Sequence, residues 1–153
     1  CLKRGGAVFT AGNGGSAAEA LHMAEELTGR YRSDRKPLPA VCLAADPTAL
    51  TCIGNDFGFP EIFGRQLLAL GRPGDVAILF TTSGNSWNLF RTLAAAKKNR
   101  VKTICLLGKG GGMLAGQGDL EIIVDSKSTA HIQEVQQVIM HLLLEGIEDA
   151  FGV

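Results

Sequence analysis

Val76-Ala77-Ile78-Leu79-Phe80-Thr81-Thr82-Ser83-Gly84-Asn85-Ser86 is an apolar run that breaks into a loop rich in hydroxyls. The run over Val76–Thr81 lacks polar alternation, which marks a strand covered on both faces. After the loop, Ser86–Asn99 reads as an amphipathic helix. The same strand–loop–helix grammar recurs along the chain. Strands are expected over Ala7–Ala11, Ala40–Ala44, Thr103–Leu107 and Glu121–Val124. Further helices are expected over Ser16–Gly29, Pro60–Leu70 and from about Ala130 to Phe151. Such alternation predicts an α/β fold, a three-layer αβα sandwich with a five-stranded parallel sheet. Ligands of these sheets bind beyond the carboxyl ends of the strands. The loops that follow strands therefore carry the functional information.

The chain has 153 residues, enough for one domain with its own core. Its 15 basic and 15 acidic residues cancel. That balance gives no electrostatic reason to expect nucleic acid or an anionic membrane as partner. No apolar run reaches membrane-span length, and no signal peptide opens the sequence. Cys42 and Cys105 sit in apolar runs and read as small core residues. With no paired C-x-x-C, the cysteines suit a reduced, cytoplasmic setting. The opening Cys1-Leu2-Lys3-Arg4-Gly5-Gly6 has no initiator methionine, so the natural beginning is expected to be missing. Gly110-Gly111-Gly112 reads as a flexible turn.

Two loops invite an anion. After the first strand comes Gly12-Asn13-Gly14-Gly15-Ser16. Glycines allow close backbone approach, and a helix start offers free N–H groups. This signal is weak alone, because a tight turn capped by Ser16 explains it equally well. The loop Thr81–Ser86 is stronger. Four hydroxyls in six residues exceed what an N-cap requires. Hydroxyls and helix-start amides together hold a phosphate dianion without Lys or Arg.

Four segments together resemble the sedoheptulose 7-phosphate (phosphoheptose) isomerases of the sugar isomerase (SIS) domain family. They are Gly12–Ser16, His22–Tyr31, Gly54-Asn55-Asp56-Phe57-Gly58 and Thr82–Ser86. The resemblance spans nearly the whole chain and implies a flavodoxin-like SIS domain over 1–153, lacking the family's additional N-terminal helix. It implies aldose–ketose isomerisation of sedoheptulose 7-phosphate for heptose and lipopolysaccharide precursors, in a homotetramer with shared active sites. It further implies sugar contacts by Asn13, Gly14, Gly15, Ser16, Asn55 and Asp56, and phosphate contacts by Thr81, Thr82, Ser83 and Ser86. Thr81 stands where serine is expected, and Trp87 where a small residue is usual. Trp87 is open to three roles: covering the loop, packing at a subunit contact, or standing exposed.

His22 and Glu26, four apart, share one face of the first helix. Gln133 and His141, eight apart, share a face of the last, with Gln137 between them. Imidazole and carboxylate suit zinc, whereas glutamine is a poorer ligand. Spacing does not show that the two helices meet. The resemblance supplies that link: it implies one Zn2+ per subunit held by His22, Glu26, Gln133 and His141, with Gln133 and Glu26 also at the substrate. Isomerisation needs a carboxylate base and a second acid–base group. Glu26 and His141 are the expected catalytic pair. Glu25 lies about 100° around the helix from Glu26 and is expected to stand apart, solvated or paired with Arg30 or Arg32. His131, at a helix start, reads as structural. Three rivals stand beside this reading: a non-catalytic SIS module resembling one that associates with the bacterial replication initiator, an isomerase of a related sugar phosphate, and a purely structural or vestigial chain.

Overall fold

Five strands run parallel through the middle of the protein, here described over residues 1–152 by a computed structural model. They are β1 (Val8–Ala11), β2 (Ala40–Cys42), β3 (Val76–Phe80), β4 (Lys102–Gly108) and β5 (Leu120–Val124). Their order is β2-β1-β3-β4-β5. Residue 153, included in the expected single domain, lies outside the described residues. The helices are α1 (Gly15–Thr28), α2 (Pro47–Phe57), α3 (Gly64–Leu70), α4 (Trp87–Asn99) and α5 (Thr129–Phe151).

Alternate strand residues explain the three layers. Phe9, Ala11, Ala77, Leu79, Cys105 and Leu107 pack with Leu67 of α3 and with Leu89, Leu93 and Ala96 of α4. Val8, Ile78, Phe80 and Leu106 pack on the other face with Ala20, Met23 and Leu27 of α1 and Met140 and Leu144 of α5. Successive side chains of a strand point to opposite faces, so burial on both sides gives the unbroken apolar runs of the central strands β1, β3 and β4, while the edge strands β2 and β5 are partly exposed. The expected five-stranded parallel sandwich is therefore present, with strand ends shifted by one or two residues.

Two expectations need correction. A helix was not expected at α2, although Asp46 caps it by accepting from the Thr48 and Ala49 amides, and Pro47 sits in its first turn. Both are helix-start signals. The expected helix Pro60–Leu70 instead divides into a 3-10 turn at Phe59–Glu61 and α3.

Cys42 and Cys105 are buried, as expected of core residues. Burial, reinforced by the nearby charges of Glu121 and Asp119, pushes the Cys105 thiol up to about 12. Burial likewise raises Cys42.

The strand order reverses between β1 and β3, which hydrogen-bond directly. At such a switch point the loops leaving the two strands diverge and open a crevice. Here those loops lead to the N-termini of α1 and α4.

Candidate active site

The crevice between the ends of β1 and β3 holds about 100 Å³ and is lined by Asn13, Ser16, Phe80, Thr81, Thr82, Ser83 and Ser86. Five of these are hydroxyl residues on two helix starts, so amide dipoles and O–H donors converge on one small space.

The β3–α4 loop is preformed. The Thr81 hydroxyl accepts from the Gly84 amide at 3.1 Å, and the Ser83 hydroxyl accepts from the Asn85 amide at 3.2 Å. A hydroxyl that accepts from the backbone still has its own proton to donate. Ser86 is the N-cap position of α4 but makes no side-chain cap bond. The Gln136 amide, fully buried, donates to the Thr81 carbonyl at 3.2 Å. Gly84 has φ +65°, and a Cβ there would lie 1.8 Å from the Gly111 carbonyl oxygen. The Leu114 amide donates to the Gly84 carbonyl at 3.1 Å and the Met113 amide to Asn85 Oδ1 at 3.0 Å. Gly110–Gly112 is thus the wall against which the β3–α4 loop is braced, beyond the flexible turn expected from its composition.

In the β1–α1 loop, Gly14 rather than Ser16 takes the N-cap position, with φ 57°. Ser16 is buried in the first turn. The Asn13 side chain is tied to Asn88 of α4 by two hydrogen bonds, of 3.0 and 2.7 Å. A Cβ on Gly15 would come within 2.2 Å of Gln133 Nε2, so Gln133 crosses directly over the start of α1.

A second cluster lies further along α1, where α5 runs beside it. His22 Nε2 and Glu26 Oε1 are 3.1 Å apart. The Gln137 amide nitrogen lies 2.7 Å from His22 Nδ1 and 3.4 Å from His141 Nε2. A single amide nitrogen thus lies within reach of both rings, while the other nitrogen of His22 faces Glu26. The two imidazole rings meet edge to face with centroids 5.4 Å apart, and Tyr31 stacks on His141 at 5.7 Å. The expected meeting of the two helices is present. Its composition differs in one member: Gln137 occupies the cluster, while Gln133 lies at Gly15.

Glu25 is exposed, as its solvated reading expected, yet it lies near the cluster. His22, Glu25 and Glu26 each bring one donor atom within 4.8 Å of the others. Residues three and four after His22 both flank it on the helix surface, which the angle between neighbours alone conceals. Arg30 and Arg32 turn elsewhere, Arg32 to Glu145 and Arg30 to the Arg32 carbonyl.

The segment after α1 is clamped from behind. Arg35 donates to the carbonyls of Leu27 and Glu26 at 2.9 and 2.6 Å. Its Nε lies 3.4 Å from Glu148 of α5, with both side chains about one-twentieth exposed (4% and 5%). Sequence reading gave no warning of this pair, because 113 residues separate its members.

Other expected site residues stand away from the crevice. Asn55 and Asp56 lie in the last turn of α2, both exposed, with the Asn55 amide donating to Asp56 at 2.8 Å. His131 is exposed in the first turn of α5, as its structural reading implied. In the single chain Trp87 is 61% accessible and meets Phe90 edge-on, which leaves it available for a subunit contact.

The SIS domain family matches residues 1–108. The phosphoheptose isomerase of Campylobacter concisus is 47% identical over 150 residues, covering 98% of this chain and 79% of that protein. That of Rhodospirillum rubrum is 48% identical over 149 residues, covering 97% and 79%. This chain belongs to the phosphoheptose isomerase family. Solved structures agree. The phosphoheptose isomerase of Francisella tularensis superposes with a TM-score of 0.91 at 38% identity, covering 95% of this chain and 78% of that one. The Neisseria gonorrhoeae phosphoheptose isomerase gives 0.88 at 40% identity, covering 97% and 79%. Family membership thus rests on both sequence and fold, and the earlier resemblance is borne out.

Proposed function

We propose that this chain interconverts sedoheptulose 7-phosphate and D-glycero-D-manno-heptose 7-phosphate, as a cytoplasmic, zinc-dependent homotetramer that supplies heptose for lipopolysaccharide precursors. One observation carries the reading: α1 spans the hydroxyl crevice at Ser16 and the His22–Glu26–Gln137–His141 cluster. Six residues of helix rise, about 9 Å, separate Ser16 from His22. An extended seven-carbon sugar phosphate matches that span, with its phosphate in the crevice and its carbonyl end at the cluster. A non-catalytic binding module has no use for the second cluster.

The residues divide the chemistry between them. Thr81, Thr82, Ser83 and Ser86 receive the phosphate, and the Gly14–Gly15 backbone with Ser16 lines the chain of the sugar. Glu26 takes a proton from C1 of the ketose and returns it to C2, passing through an enediol(ate). His141 moves the matching proton from the C1 oxygen to the C2 oxygen, so atoms and charge balance. Such acid–base groups contribute about 10²–10⁴-fold each.

The donor set fits a divalent metal. Two imidazoles and a carboxylate, drawn together from two helices, are ligand types zinc prefers. His22, Glu26 and His141 would hold it, with a glutamine from α5, expected from the family resemblance to be Gln133, as the weaker ligand. Bound there, zinc would supply Lewis-acid polarisation of the carbonyl.

Val135, Val138 and Leu142 form an apolar stripe on α5, exposed by 42%, 57% and 59%. An apolar stripe beside His141 supports assembly through this face. Asn55 and Asp56, exposed on α2, fit contact with substrate bound in a neighbouring subunit. The assay is turnover of sedoheptulose 7-phosphate with and without a chelator, alongside sedimentation. A metal-loaded chain that leaves the sugar unchanged sinks the enzymatic reading. A monomer that turns over at full rate sinks the shared site.

A further inference from the structure

We propose that Asn88 is a positioning residue that fixes the distance between the sugar loop and the phosphate loop. The inference rests on the isomerase reading above. Asn88 lies in the first turn of α4 and is 2% exposed. Its amide donates to Asn13 Oδ1 at 2.7 Å, and the Asn13 amide donates back to Asn88 Oδ1 at 3.0 Å. Two carboxamides facing each other satisfy a donor and an acceptor on both sides, a match that neither a carboxylate nor an apolar side chain reproduces.

The pair is anchored at each end. The Ser16 amide donates to the Asn13 carbonyl at 3.0 Å, and the Thr92 hydroxyl donates to the Asn88 carbonyl at 2.6 Å. The brace therefore runs from the first turn of α1, across the switch point, into the first two turns of α4. It spans the two loops that line the crevice, and it uses the Asn13 side chain that sequence reading assigned to the sugar.

A ligand that touches both loops depends on their separation, whereas inorganic phosphate needs only the hydroxyls and amides of the β3–α4 loop. Removing one carboxamide leaves its partner, buried at Asn88 and half-buried at Asn13, with two unmet hydrogen bonds, which loosens the brace without touching the Thr81–Ser86 hydrogen bonds. The two ligands should respond differently, and a general loss of fold would not separate them.

The test compares wild type, Asn88→Ala, Asn13→Ala and the double variant by calorimetry, using sedoheptulose 7-phosphate and inorganic phosphate. Expected is about a tenfold weaker Kd for the sugar phosphate in each single variant, from the cost of an unpaired buried polar group. The phosphate Kd should stay within about twofold, and the double variant should be no worse than the single ones, as expected for partners in one interaction. Thermal melts accompany each measurement, and Asn88→Ser takes the place of Asn88→Ala if that variant does not fold. An unchanged sugar-phosphate Kd, equal losses for both ligands, or additive single effects overturns the proposal. Wild-type turnover is measured in parallel. Its absence sinks the isomerase reading, while the ratio of the two Kd values still decides the role of Asn88.

Discussion

Gln137 holds both histidines of the candidate centre, with its amide nitrogen 2.7 Å from His22 and 3.4 Å from His141. One amide nitrogen thus reaches rings on two helices and ties α1 to α5 at the centre. Partners that orient ligand rings are typically worth 10–100-fold in metal affinity. Gln137→Ala should therefore weaken zinc by about tenfold or more in a competition titration. Unchanged affinity would show that Gln137 plays no part in holding the metal site.

Glu26 is the proposed base for the carbon-bound proton. Glu26→Gln keeps the shape and removes the basicity. The expected result is a kcat at least ~10²-fold lower with a normal circular dichroism spectrum. Turnover near wild type in this variant reassigns the base.

The Arg35–Glu148 pair supports Glu26 from below, since Arg35 also holds the Glu26 carbonyl. Removing one member of a buried pair costs about 3–5 kcal/mol, whereas replacing both by apolar groups is often neutral. Glu148→Gln should lower stability in urea by about 3 kcal/mol. Arg35→Met with Glu148→Leu should recover most of that loss. A single variant as stable as wild type contradicts the clamp.

Glu19 predicts a pH dependence. It is 7% exposed, and neither carboxyl oxygen has a hydrogen-bond partner among the described residues. Burial pushes its pKa up from 4.5 to about 7, and proximity to the Ser16 hydroxyl offsets this only in part. The folded state therefore holds a proton that the unfolded state releases. Stability from this group is full below the unfolded pKa near 4.5 and is lost as pH rises through about 7. At about 1.4 kcal/mol per unit, the loss is on the order of a few kcal/mol. Thermal melts between pH 4.5 and 8 should show this decline in wild type and a flatter profile in Glu19→Gln. Parallel profiles refute it.

How far the sequence went can be read from particular residues. The apolar strands were legible because burial on both faces leaves an unbroken signature, as at Ile78 and Leu79, which serve opposite layers. The hydroxyl loop was legible because four hydroxyls exceed the needs of a cap. The meeting of His22 with His141 came only from family resemblance, since periodicity describes one helix at a time. The contacts of Gln137 with His22 and His141 carried no signal, because residues 133, 137 and 141 share one helix face and only packing decides what each of them meets on α1. The start of α2 is readable in Asp46-Pro47, a cap residue followed by proline in the first turn. Asn88 carried no signal, because an asparagine in a first helical turn looks like any capping residue.

The contact of Gly84 with Gly111 has a bearing on ancestry. Any side chain at 84 needs a matching retreat of the opposing glycine turn, so two changes must arrive together. Single substitutions cannot reshape this socket gradually. A lineage moving toward a new phosphorylated sugar would then inherit the anion grip intact and diversify at the far end of the ligand, around α5. The glycines make this part of the site the hardest to revise.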